Sequence, residues 1–178
     1  MSGGYLPDML SVDVNDENCF ERLKIHLEGL LRGQKAVILC VGSEKVGGDT
    51  LGPLVGSKLL DKLGGNAIVY GVLDGNITAS NLIFAVNLIK TLHEDRLLVV
   101  IDAALGRQGE VGTIQVYGHG LRPGSATNKN LPCVGDIAII GVVNRKICAF
   151  ELSMLYTARR AMVDKMSDII SDSVAQAL

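Results

Sequence analysis

The amino-acid sequence predicts a three-layer α/β/α sandwich, with helices on both faces of a mostly parallel sheet that has a mixed edge. Short and almost wholly apolar runs at 36–41 (AVILCV), 97–101 (LLVVI) and 137–143 (IAIIGVV) are typical of strands buried on both faces. Segments with apolar residues at helical spacing separate these runs, and such alternation favours parallel strands joined by crossover helices. At 178 residues and 48% hydrophobic, the chain is expected to form one domain over 1–178.

The remaining elements follow from local signals along the chain. Residues 1–14 are expected to be an irregular lead-in, and Asn15 or Asp16 is expected to cap a first helix that Gly33 ends. Pro53 opens the helix that follows the glycine-rich turn after the first strand. The predicted helices span 17–32, 52–63, 79–93 and 150–176, further strands span 67–73 and 112–117, and a long loop spans 118–135.

Composition excludes several classes of protein. The net charge is -2 and the basic residues are scattered, which argues against nucleic-acid binding. No apolar run approaches the roughly 20 residues that cross a bilayer, and the first residues lack the pattern of a signal peptide, so a cytoplasmic protein without a membrane partner is expected. The 4 cysteines form no CxxC pair, which favours buried reduced thiols.

Two acidic residues come after predicted strands of the sheet. Asp49 closes the glycine-rich turn, and Asp102 directly follows the third buried strand. Each carboxylate has a structural alternative, since Asp49 is also a good helix cap and Asp102 a good turn residue. If the strands are neighbours, both carboxylates enter one crevice at the carboxyl ends of the strands. The pair would then serve either as acid and base or as two oxygen ligands for a divalent metal.

The glycine-rich turn does not match the known phosphate-binding loops. Gly42 and Gly47 have the spacing of a Walker A loop, but Gly48 and Asp49 stand where lysine and a hydroxyl residue are needed. Glu44 likewise breaks the dinucleotide-binding pattern. The glycines therefore predict a close approach of the backbone to a ligand or another segment, and Gly42 and Gly48 are candidates for substrate binding.

The long loop at 118–135 is the third candidate region. Loops of this length are often functional in a compact domain. His119 is a candidate general base, metal ligand or substrate-binding residue, while Ser125 lacks the GxSxG surroundings of a nucleophile.

These motifs resemble the YyaC-type sporulation proteins over nearly the whole chain. The matching segments are VGSEKVGGDTLGPLVGSKL, YGVLDGNITASNL, IDAALG and LPCVGDIAIIGVVN. More distantly, the first loop, the IDAAL strand end and the TIQ–PGS stretch are similar to the germination protease of bacterial spores. That resemblance implies a phosphorylase/hydrolase-like fold and an atypical aspartic-type peptidase with Asp49 and Asp102 as the catalytic pair. It also implies substrate contacts from Ser125, Asn128 and Lys129.

The first loop is similar, more distantly still, to hydrogenase maturation endopeptidases, in which an acidic residue at the position of Asp49 helps to recognise nickel. Asp102 would match a second acidic ligand, and no histidine clearly matches the third. The expectation is therefore no cofactor, with Asp49 and Asp102 as ligands if a divalent metal binds. The resemblances imply a protein or peptide substrate, such as small acid-soluble spore proteins, in the cytoplasm of the forespore or spore. They leave open a homo-oligomer and a non-catalytic factor that binds a partner protein.

Overall fold

A six-stranded mixed sheet runs through the centre of the protein, in a computed structural model that describes residues 8–121 and 133–178. The strands are β1 Met9–Asp13, β2 Ala36–Cys40, β3 Ile68–Tyr70, β4 Leu97–Gly106, β5 Thr113–Tyr117 and β6 Ile137–Arg145. Their order in the sheet is β1-β5-β6-β4-β2-β3. Strands β6, β4, β2 and β3 are parallel, and β5 and β1 add an antiparallel edge. The predicted mostly parallel sheet with a mixed edge is confirmed.

The helices cover the two faces of the sheet unequally. They are α1 Cys19–Leu31, α2 Leu51–Leu63, α3 Leu82–Leu92, α4 Glu151–Tyr156 and α5 Arg160–Ala177. Apolar side chains of α1, α2 and α5 pack with one face of β2, β4 and β6 in the larger core. On the other face, α3 is the one helix of the described residues that contributes to the smaller core, together with Leu121 and Val134. The three predicted layers are present.

The two ends of the chain differ from the predictions. Residues 9–13 form β1 instead of an irregular lead-in, because they pair antiparallel with β5 and bury Val12. The predicted C-terminal helix is two helices, α4 and α5, interrupted at residues 157–159. At this break the side-chain amide of Asn144 donates to the Met154 carbonyl oxygen over 2.8 Å, which ties the end of α4 to β6.

The start of α1 and one cysteine also depart from prediction. The N-cap of α1 is Asn18, not Asn15 or Asp16. The Asp16 carboxylate accepts from the backbone N–H of Asn18 at 2.9 Å, a local turn that places this side chain before the helix. Cys19 and Cys40 are buried as predicted, whereas Cys133 and Cys148 are exposed. Among the described residues, no helix is both long and apolar enough to span a membrane.

The buried His26 side chain on α1 reduces the stability of the folded protein. His26 is 3% exposed, and within the described part of the chain its Nε2 has no hydrogen-bond partner. Burial lowers the pKa of His26, because the charged imidazolium loses its hydration. The unfolded chain therefore binds this proton more readily than the folded chain does.

We predict that His26→Leu reduces the acid sensitivity of folding. Stability of the native protein should fall as the pH drops through the unfolded histidine pKa of about 6.5 towards the lower folded value, and this loss should be absent in the variant. The variant should also gain about 1–3 kcal/mol at pH 7.5, because no unsatisfied nitrogen remains buried. Urea unfolding at pH 7.5 and 5.5 measures both effects, with the exposed His119→Gln as control. Identical pH dependence in the wild type and His26→Leu would contradict this account.

Candidate active site

The order of the parallel strands creates a switch point between β2 and β4. From β2 the chain passes through α2 to β3 on one side, while β4 pairs with β2 on its other side. The helices α2 and α3 lie on opposite faces of the sheet. Connections that diverge in this way leave a crevice at the carboxyl ends of the strands, which is where α/β proteins bind ligands.

The chain after β2 folds back on itself at this crevice. Gly42 has φ +146°, and its backbone N–H donates to the Ile77 carbonyl oxygen at 2.8 Å. A side chain at Gly42 would overlap the Asp49 carbonyl oxygen, which itself accepts from the Ser43 N–H at 3.1 Å. The close approach predicted for this loop is therefore an approach to another part of the same chain, and it fixes the position of Asp49.

Asp49 lies in a short 3-10 helix, Gly48–Thr50, that leads into α2. It does not cap α2, since the N-cap is Thr50 and no side-chain capping bond is present. The residue is half-buried. Burial raises the pKa of the Asp49 carboxyl, and the backbone N–H of Ser43 opposes this rise in part. The helix-cap alternative is therefore wrong, and the geometry leaves a carboxyl group that holds its proton more tightly than usual.

Asp102 lies inside β4 and not on a loop after it, which corrects the sequence prediction. The strand continues to Gly106 because β6 pairs with it beyond the end of β2. The residue is 7% exposed, and its Oδ1 accepts from the Ala103 N–H at 2.9 Å. Asp102 is one residue past the last pair between β2 and β4, so it reaches the switch point while still in the sheet.

The 3-10 helix that carries Asp49 packs directly against β4. It also packs against α4, and glycines make this contact close. A Cβ on Gly47 would lie 3.1 Å from the Tyr156 carbonyl oxygen, and one on Gly48 would lie 3.1 Å from that of Leu155. The two acidic residues named from sequence thus lie on elements that contact each other, a 3-10 helix and β4.

Contacts between the loops after β2 and β3 also support the crevice, and the sequence alone did not predict them. The Glu44 backbone N–H donates to Asn76 Oδ1 at 2.7 Å, and the Glu44 carboxylate accepts from the Asp74 N–H at 3.1 Å. Asp74 has φ +65° in the turn that follows β3. The loops after β2 and β3 are therefore joined by side chains. The Asn and Asp in LDGN were available as turn signals, but nothing in the sequence linked them to Glu44.

His119 lies away from this crevice, and its predicted role as a site residue stays a prediction. It follows β5, which runs antiparallel to β6 and ends with Tyr117 opposite Ala138, whereas Asp102 pairs with Ile140. The chain therefore reaches His119 at the opposite end of the parallel strands, beside the first residues of β4 and β6. The imidazole is exposed, with Nδ1 2.8 Å from the Gly120 carbonyl oxygen.

Three other selected residues, Ser125, Asn128 and Lys129, lie outside the described residues. The roles predicted for them, and the substrate contacts predicted for Gly42 and Gly48, stay predictions.

A divalent metal ion bound at Asp49 and Asp102 would have few side-chain ligands. Within residues 8–121 and 133–178, no group of three or more histidine, cysteine, aspartate or glutamate side chains is arranged to hold a metal ion. A divalent ion at the switch point would have Asp49 and Asp102 as its side-chain carboxylate ligands. Two such ligands leave the rest of a coordination shell to main-chain oxygens and water.

One known protein is similar to this chain in fold, and another is similar in sequence. The HycI [NiFe] hydrogenase maturation protease from Thermococcus kodakarensis superposes with a TM-score of 0.58 at 17% identity, covering 85% of this chain and 97% of that one. This likeness confirms the phosphorylase/hydrolase-like fold. The uncharacterized protein YyaC of Bacillus subtilis is 35% identical over 144 residues, which are 80% of this chain and 69% of that protein.

A family model described as a protein of unknown function, DUF1256, matches residues 11–173. This match includes both acidic residues and all six strands except the first two residues of β1. The chain is therefore a member of the DUF1256 family.

Proposed function

We propose that this protein is a peptidase-like hydrolase in which Asp49 and Asp102 cleave a peptide bond by acid–base catalysis. The observation that carries the proposal is the placement of one half-buried and one buried carboxyl residue at the switch point. Their supporting elements, the 3-10 helix and β4, are in direct contact. Two carboxyl groups with different surroundings suit this chemistry, because one can hold a proton while the other accepts one.

The raised pKa of Asp49 suggests how the pair would divide the two roles. Burial raises the pKa of Asp49, so this carboxyl group is suited to stay protonated, polarise the substrate carbonyl and donate to the leaving amine. Asp102 would then take a proton from the attacking water. The 3-10 helix that places Asp49 is braced by α4, which keeps the acid positioned as the substrate enters.

The biological setting proposed for this reaction comes from resemblance. Sequence similarity to sporulation proteins and to the germination protease suggests action in the forming or germinating spore, within its cytoplasm. Small acid-soluble spore proteins are the proposed substrates. The fold shared with a maturation protease is compatible with peptide hydrolysis, and at 17% identity it supports the architecture alone.

A second candidate function is a non-catalytic factor that binds a partner protein. It is favoured by three exposed apolar side chains around α4, close to the 3-10 helix. Phe150 is 59% exposed, Leu152 is 55% exposed and Tyr156 is 55% exposed. The two functions differ in a simple way, because only hydrolysis requires both carboxylates.

We predict that Asp49→Asn and Asp102→Asn each lower cleavage of small acid-soluble spore proteins by about 10²–10⁴-fold, the usual contribution of a positioned acid or base. Purified proteins are compared by the rate at which cleavage products accumulate. The exposed Asp61→Asn on α2 is the matched control and should keep full activity. A wild type that cleaves nothing, or variants that cleave at the wild-type rate, would rule out the aspartate pair.

A separate prediction concerns stability at the same site. A carboxyl group whose folded pKa is raised destabilises the folded protein as the pH rises through the interval above its unfolded pKa of about 3.9. Asp49→Asn should therefore be more stable than the wild type at pH 7, and the difference should shrink as the pH falls towards 4. Denaturant unfolding at pH 7 and pH 4 checks this. A variant that is less stable at both values would show that the Asp49 carboxylate stabilises the fold.

We also predict that Gly42→Ala disrupts the loop that positions Asp49. Its positive φ alone should cost about 1–3 kcal/mol, and overlap with the Asp49 carbonyl oxygen should add to that cost. Gly65→Ala is the matched control, since Gly65 has φ +85° and no atom near its missing Cβ. Thermal unfolding should show a larger loss for Gly42→Ala. Equal losses would mean that the loop relaxes without strain.

A further inference from the structure

A second cleft, of about 390 Å³, opens beyond the end of β6. Its walls come from β6, from the segment between β4 and β5, and from the junction of α4 with α5. The volume lies within the range of small-molecule sites. Val143 lines this cleft, and the same side chain packs against Gly48, the residue before Asp49. The cleft is therefore a neighbour of the candidate active site with walls of its own.

The polar lining of this cleft is cationic. Arg145 from β6 and Arg159 from the start of α5 both line it, and no ion pair within the described residues engages either guanidinium. Of the described residues that line the cleft, none is an aspartate or a glutamate. In a chain of net charge -2, two arginines without carboxylate partners in one concave surface favour an anionic ligand.

Groups around the arginines add to the positive potential. Lys165 donates to Asn15 Oδ1 at 2.9 Å, and Asn15 lines the cleft. The 18-residue helix α5 begins at Arg160 without a side-chain capping bond, so its first N–H groups face this end of the protein. Two carboxylates on neighbouring segments are already engaged by hydrogen bonds. The Asp13 carboxylate accepts from the backbone and side-chain N–H groups of Asn15 at 2.8 and 3.0 Å, and the Glu110 carboxylate accepts from the Arg107 N–H at 2.6 Å.

We propose that this cleft binds an oxyanion, either a phosphate or a carboxylate, between Arg145 and Arg159. A guanidinium group holds such an anion through paired N–H donors, and the amide of Gln108 on the opposite wall can supply another. The two arginines come from different elements, so the anion would bridge β6 and α5. This binding requires neither Asp49 nor Asp102, and it is therefore independent of the proposed hydrolysis.

The test is a titration followed by ¹H–¹⁵N NMR at constant ionic strength. The probes are inorganic phosphate, acetyl-trialanine with a free terminal carboxylate, and the same peptide as its amide. We expect saturable shifts at Gly112, Arg160 and Ala161 with phosphate, with the carboxylate peptide or with both, and none with the amide. Phosphate alone would identify a phosphate-bearing ligand, and the peptide acid a carboxylate ligand.

Variants make the assignment specific. Arg145→Gln and Arg159→Gln should each weaken binding by about tenfold or more, the loss expected when a charged hydrogen-bond donor is removed. Arg160→Gln is the matched control, because Arg160 already pairs with Asp164 at 3.6 Å and does not line the cleft. Asp49→Asn should bind as the wild type does, which separates this site from the proposed catalysis. Lack of saturation by either anion, or unchanged affinity in both glutamine variants, would overturn the proposal.

Discussion

The parallel pairing of β2 with β4 is the contact on which both the sheet and the candidate site depend. Residues 36–40 pair with residues 97–101 in the middle of the sheet, and nearly all of these side chains are buried. This pairing joins the half of the sheet that contains β3 to the half that contains β6. It also places the chain leaving β2 beside the later part of β4. A single ladder of main-chain hydrogen bonds therefore aligns the end of β2 with the residue before Asp102.

Three features of the candidate site destabilise the folded protein. Asp49 and Asp102 are carboxyl residues withdrawn from water, and Gly42 holds a backbone conformation that other residues rarely adopt. The chain tolerates these features because hydrogen bonds hold the surrounding loop: the Gly42 N–H donates to the Ile77 carbonyl oxygen, and the Glu44 N–H donates to the Asn76 side chain. Destabilising features concentrated beside a well-packed sheet are typical of functional sites.

Sequence periodicity identified the buried strands, since AVILC and IAIIGVV are short, apolar and rich in β-branched residues. It missed β1, because MLSVD buries only Val12 fully and becomes a strand through pairing with β5. It ended β4 too early, because the extension past Asp102 depends on β6, a partner distant in sequence. His119 was selected because its loop is long, and the sequence did not show that the antiparallel β5 carries this loop to the amino ends of β4 and β6.

The contact of α4 with Gly47 and Gly48 also has a consequence for biosynthesis. The ribosome makes the loop that contains Asp49 about a hundred residues before it makes Leu155 and Tyr156, whose carbonyl groups pack on that loop. A nascent chain that has already emerged through β4 therefore carries both carboxylates, but the loop still lacks its brace. The order of translation thus delays completion of this packing until the last helices leave the exit tunnel.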